Sequence, residues 1–145
     1  MARVLAGLDV DTCLIAFNYD LIWRGALHAV MPLAQEKGAA LILGAIFQYG
    51  RFTHVHREWL EAPPDWMTDM VRERFSRLYD LQATSGMSLV ELTVRFLLAD
   101  PVFSTMLIGA ATANQLQESV TAGRRGPLPA DLHAQIEALG LEEKP

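Results

Sequence analysis

Short apolar runs alternate with longer stretches of helical spacing along this chain. Thr12 to Phe17 (TCLIAF) lies between Asp11 and the polar-ended triplet Asn18-Tyr19-Asp20. A run this short without a charge predicts a strand buried on both faces, the kind found in parallel sheets. Ala26 to Lys37 places Leu27, Val30, Leu33 and Ala34 at helical spacing and meets Gly38, which predicts a helix stopped by glycine. Pro32 inside it removes one backbone donor and predicts a kink. Ala39 to Ile46 (AALILGAI) predicts a second doubly buried strand, so these elements form a βαβ unit with a right-handed crossover.

Phe47 to Pro64 reads as a long connection, and Pro63-Pro64 keeps the chain out of helix at its end. Asp65 is the expected cap of a helix over Trp66–Gln82, with Trp66, Met70, Phe75 and Leu78 on its apolar side and Arg72, Arg74 and Arg77 on its wet side. Ser85-Gly86 breaks it. Ser88-x-x-Glu91 is a capping box opening a helix that Leu92, Val94, Phe96, Leu97 and Leu98 make apolar on most sides, and Asp100-Pro101 ends it. Ser104 to Ala110 (STMLIGA) predicts a third buried strand. Thr112-x-x-Gln115 is a second capping box, for a helix through Thr121. After a loop over Gly123–Pro129, a last helix runs to Leu139 with Leu132, Ile136 and Leu139 as its stripe. Strands alternating with helices make this an α/β chain, read as one domain over 1–145.

Composition narrows the function classes. The chain has 145 residues, is 51% hydrophobic and 20% charged, and carries a net charge of −5. That suits a globular domain with a real core. It argues against a nucleic-acid surface, since Arg124-Arg125 is the one tight basic pair. The single cysteine, Cys13, excludes an internal disulfide framework and fits a reducing cytoplasm. No signal-peptide pattern follows Met1, and no apolar run approaches the roughly 20 residues that span a bilayer, so neither secretion nor a membrane is expected.

Two places carry candidate chemistry. Gly109-Ala110-Ala111-Thr112 joins a strand to a helix, where free amides and the helix dipole favour anions and small residues admit a phosphate. The same residues also suit a plain tight turn with a threonine cap. Phe47-Gln48-Tyr49-Gly50 ends the second strand, where ligands of parallel sheets bind. Phe47 or Tyr49 there is either a stacking surface for a planar ring or a plug over the core. His54-x-His56 alternates like a ligand pair, but no cysteine or His-Glu motif lies near it, so a surface loop is favoured and no metal is predicted. Cys13 sits in an apolar run and reads as a buried, inert thiol.

The stretch Ser88–Glu118 resembles the end of an aldo-keto reductase. Its helix follows S-x-x-E-L-(A/T)-x-R-(F/W)-(L/V)-L, its strand ends at Ile108-Gly109, and T-x-x-Q-L-x-E follows at Thr112–Glu118. Asp9–Ile22 and Gly44–Gly50 are similar to D-V-D-x-x-L-I-A-x-x-Y-x-L-(L/I) and G-(G/A)-x-F-x-x-G of the sugar-dehydrogenase branch, the aldose and fucose dehydrogenases. The resemblance implies a partial (β/α)8 TIM barrel, with three parallel strands equivalent to the last three of eight, plus flanking helices. A whole barrel takes roughly 250 residues, so most of the family's machinery is expected to be missing here.

By that resemblance, the loops after the last two strands hold a nicotinamide dinucleotide. Phe47, Gln48 and Gly50 would follow its pyrophosphate, and Tyr19 would sit near the nicotinamide. Gly109, Thr112, Gln115 and Glu118 would form the phosphate turn and adenosine end. NAD or NADP is implied, with NAD favoured because Ala110 and Ala111 stand where the family often has a cation for the 2′-phosphate; a chain that binds no cofactor is the equal alternative. Tyr49 departs from the family's small residue, and Ser119 from its usual Asn. The catalytic Tyr, Lys, Asp and His of the family belong to the first half of the barrel, so no catalytic residue is assigned.

The leading expectation is a catalytically incomplete fragment with residual dinucleotide binding. One alternative is half of a two-chain reductase; another is an interaction module built on the exposed barrel face. Open strand edges and an uncovered inner face predict a homo-oligomer or a partner chain supplying the missing half-barrel.

Overall fold

Aliphatic side chains set three short extended segments, β1 (Thr12–Ala16), β2 (Ala40–Gly44) and β3 (Phe103–Met106), in one parallel sheet of order β1-β2-β3. The computed structural model describes residues 2–141. Thr12 pairs with Ala40 and the register runs unbroken to Ala16 and Gly44. Between β2 and β3 it slips: Leu41 faces Phe103 but Ile42 faces Thr105. Ser104 is therefore the extra residue of a bulge. Among the described residues seven α-helices accompany the sheet: α1 (Ala2–Gly7), α2 (Val30–Lys37), α3 (Glu58–Glu61), α4 (Asp69–Ser85), α5 (Leu89–Leu97), α6 (Ala113–Arg124) and α7 (Ala130–Glu137). Three parallel strands with helical crossovers are the partial-barrel arrangement that the resemblance implies.

The strands are not buried on both faces. In β1, Cys13 and Ile15 are buried while Thr12 and Leu14 are exposed, and β3 holds no fully buried residue. An apolar run is sheltered twice only where layers cover both sides of the sheet. Here one side of β1 meets the core and the other is open. Leu5 of α1, a helix too short to show periodicity, joins that core beside Ile15, Leu41, Leu43 and Ala34.

The helix expected from Ala26 begins at Val30. Pro32 thus falls in the first turn, where a missing amide breaks no intrahelical bond, and the expected kink has no cause. Gly38 ends α2 in the left-handed conformation (φ 68°), donating to the Ala34 and Gln35 carbonyls. Thr68, not Asp65, caps α4, accepting from the Val71 amide at 3.4 Å. After Pro63-Pro64 the chain first closes a turn from the Met67 amide to the Pro64 carbonyl, 2.8 Å, which spends Asp65 and Trp66 before a helix can start. Met70 then faces solvent, and the buried stripe is Val71, Phe75, Leu78 and Tyr79.

Ser88 caps α5 by accepting from the Glu91 amide at 3.1 Å, and α5 is buried on most sides as expected. The Phe47–Pro64 connection is more than a tether. Phe52 is fully buried and stacks on Phe75, with ring centroids 5.6 Å apart, inside a cluster that also takes in Trp23 and Trp66. Aromatic pairs in such offset and edge geometries add to their burial. α4 packs against α3 and α7.

Candidate functional site

The carboxyl ends of β1 and β2 and the β3–α6 turn surround an open cleft of about 570 Å³. One wall carries Phe17, Phe47, Gln48, Tyr49 and Gly50, and the other carries Leu107, Gly109, Ala111, Gln115 and Glu118. This is where ligands of open parallel sheets bind. The first wall is built from strained backbone. Phe17, Ala45, Gln48 and Tyr49 have φ of 61°, 55°, 49° and 58°, a region that costs a non-glycine residue roughly 1–2 kcal/mol. Four such residues around one cleft are held there by their surroundings.

Gln48 is one of the clamps. Though it borders the cleft, its side chain is buried and turned inward. Nε2 donates to the Phe17 carbonyl at 3.2 Å and also to Asp20 Oδ2. Asp20 is fully buried and accepts from the Ile22 and Trp23 amides, both at 2.9 Å. Burial pushes its carboxyl up from the usual range, against the pull of those amides, the nearby Arg24 and Gln48. Arg24 is itself buried, its guanidinium over the rings of Phe96 at 4.6 Å and Tyr19 at 5.2 Å. Burial lowers its pKa, while Asp20 and Tyr19 oppose that shift. Neither Asp20 nor Arg24 stood out in sequence, because they sit four apart between apolar residues and resemble the polar flank of a strand.

Tyr19 lies apart from the cleft. Its hydroxyl donates to Asp100 Oδ2 at 2.9 Å, and its ring meets Phe103 at 5.0 Å. Those partners lead into the start of β3, whereas the cleft opens where β3 ends. Burial first, and then the Asp100 charge, push the Tyr19 hydroxyl above its ordinary range, so it stays a neutral donor. Phe47, Gln48, Gly50, Gly109, Gln115 and Glu118 all border the cleft, and Thr112 stands just outside its walls.

The turn into α6 is capped as its sequence pattern suggests. Thr112 Oγ1 accepts from the Gln115 amide at 3.3 Å, and Gln115 Oε1 accepts from the Ala111 amide at 2.8 Å. A Cβ on Gly109 would meet no atom within 4 Å, so that wall has room for a bulky group. Glu118 Oε1 accepts from Ser88 Oγ at 2.7 Å, tying α6 to the start of α5. Of the two aromatics, Phe47 is half-buried against the core while Tyr49 is exposed. The ionisable side chains on the walls are Tyr49, His54 and Glu118, and no lysine or arginine lies among them.

His54 and His56 approach each other, ring centroids 3.9 Å apart, and His56 stacks flat on Trp59 at 3.6 Å. Their Nδ1 atoms lie 3.0 Å from Thr53 Oγ1 and Glu58 Oε1 respectively. Among the described residues no three His, Cys, Asp or Glu side chains gather as a metal site. Cys13 is buried. No helix among the described residues is long and apolar enough to cross a membrane.

The family model described as "Aldo/keto reductase family" matches residues 2–140. The chain is also similar to pyridoxal 4-dehydrogenase of Microbacterium luteolum, at 26% identity over 117 residues. That match covers 77% of this chain and 33% of the relative, so the chain spans about a third of that protein's length. Matching motifs, three parallel strands and a family model that spans nearly the whole chain agree: the chain belongs to the aldo/keto reductase family.

Proposed function

We propose that this chain is the dinucleotide-holding end of an aldo/keto reductase, binding a nicotinamide dinucleotide in the cleft between the β2 and β3–α6 loops. The observation that carries this is convergence: six residues assigned by family motif, from two distant segments, border one cleft at the carboxyl ends of parallel strands. The residues present fit such a ligand in size, since Gly109 faces open space and Ala111 and Gly50 are small. When bound, the reduced nicotinamide would donate hydride to a carbonyl carbon, and the oxidised form would accept hydride from an alcohol carbon. This chain's residues bind and orient, and the acid–base set belongs to strands that precede these in the family. NAD is favoured over NADP, because the walls carry Glu118 and no cation to meet a 2′-phosphate.

The test is a titration of NAD, NADH and NADPH against the chain's tryptophan fluorescence. NADH is expected to quench saturably and more tightly than NADPH. Gly109→Val, which fills the open wall, should weaken NADH by about tenfold or more, a loss of roughly 1.4 kcal/mol. Absence of saturable quenching at millimolar ligand would sink the reading.

A second proposal rests on a separate observation. β1 and β3 are the outer strands of an open sheet, and Leu14, Leu107 and Leu116 are 43%, 50% and 50% exposed. Unpaired edges beside apolar surface favour association. The partner proposed is a second copy of this chain, and a separate chain carrying the earlier strands is the alternative.

A further inference from the structure

The ring of Tyr49 is 85% exposed, yet it is not left loose. It stacks on Phe17, with centroids 4.7 Å apart and planes 24° from parallel. Both residues hold the left-handed backbone conformation, and the Gln48 side chain ties the two segments together by donating to the Phe17 carbonyl. Strain of this kind persists only where the surroundings over-determine it, and it gathers at binding sites. A tyrosine serving as a plug would be buried. This one has an inner face on Phe17 and an outer face in solvent at the cleft wall.

We propose that the Phe17–Tyr49 pair is a stacking ledge for a planar heteroaromatic ring, the purine or pyridine of a nucleotide, whose polar remainder extends toward the Gly109–Ala111 wall. The inference rests on the dinucleotide reading and deepens it by naming the residue that grips the ring. Three observations support it: the ring is pre-positioned, so little rotamer freedom is lost on binding; an aromatic face attracts an offset π-system; and the facing wall is small and open, leaving space for ribose and phosphate. The same bulk that would hinder a phosphate at position 49 thereby becomes a contact for the flat part of the ligand.

Calorimetric titration of NADH, AMP and nicotinamide mononucleotide into the native chain, Tyr49→Phe and Tyr49→Ala tests this. Because Tyr49 is exposed, neither variant threatens the fold, and urea unfolding of each verifies that. Tyr49→Phe should bind within about twofold of the native chain, and Tyr49→Ala about tenfold more weakly. The mononucleotide that shares the loss identifies which ring lies on the ledge. Equal NADH affinity in Tyr49→Ala and the native chain would overturn the ledge and leave the dinucleotide reading standing. Binding of a mononucleotide but not NADH, lost in Tyr49→Ala, would keep the ledge and overturn the dinucleotide reading. Binding of none of the three would overturn both.

Discussion

Glu91 shows how a single residue serves two levels of this structure. Its sequence position, three after Ser88, marks a helix start. In the fold its carboxylate accepts from Arg95 at 2.9 Å and from Arg125 at 2.7 Å, with only 12% of the side chain exposed. Burial raises its pKa, but the hydrogen bonds and charges of Arg125 and Arg95 outweigh that and hold the carboxyl below the usual range. A lowered folded-state pKa stabilises above the unfolded value, about 4.3 for glutamate, and that stability is lost as pH falls through the folded value. Glu91→Gln should therefore cost about 1–3 kcal/mol at neutral pH. The gap between variant and native chain should close in urea unfolding below about pH 4. A gap that persists at low pH would mean that packing, not charge, carries the effect. Asp20 has the opposite sign: its raised pKa favours the acid form, so its contribution declines as pH rises. Its pairing with Gln48 joins residues 28 apart in sequence, which no local pattern reveals.

At the scale of elements, the caps carried the clearest local signal. Ser88 and Thr112 each accept from the amide three residues on, as their motifs foretold, because that geometry involves only one turn of chain. Ser88 also donates to Glu118, so its hydroxyl closes one helix and fastens another. Ser88→Ala should cost about 1–2 kcal/mol in thermal or urea unfolding, and Thr112→Ala, on an exposed turn, about 1 kcal/mol. Comparable costs for both would show that the α5–α6 tie contributes nothing. Element boundaries were less readable. α2 starts at Val30, after a turn in which the Leu27 amide donates to the Arg24 carbonyl, and Thr68 caps α4, after the turn from the Met67 amide to the Pro64 carbonyl. The strand expected over Ser104–Ala110 is Phe103–Met106; the Leu107 amide still donates to the Leu43 carbonyl at 2.8 Å, and Leu107 and Gly109 border the cleft.

For the whole molecule, the decisive feature is an open three-stranded sheet. A closed barrel has no edges, whereas this sheet has two. If the proposed self-association covers them, light scattering on the native chain should give a multiple of 16.1 kDa. A stable contact would bury roughly 1,600 Å², and Leu14→Lys, at an exposed position of β1 outside the cleft, should shift the mass toward the monomer. A monomeric native mass at micromolar concentration would sink the proposal of a second copy.

Periodicity, caps and motif spacing were enough for the types and α/β order of the longer elements and for the family, because each depends on contacts within a few residues; α1 and α3 are too short to leave such a pattern. Six of the motif residues border one cleft, and their spacing was visible in sequence because the family's loops keep a local signature. Coverage of strand faces was not readable: an apolar run has the same sequence whether one layer or two lie against it, and only packing leaves Leu14 in solvent. The clamp of Gln48 on Asp20, the retreat of Tyr19 to Asp100 and the stacking of Tyr49 on Phe17 likewise arise from long-range closure. They join segments whose separation along the chain hides their proximity in space.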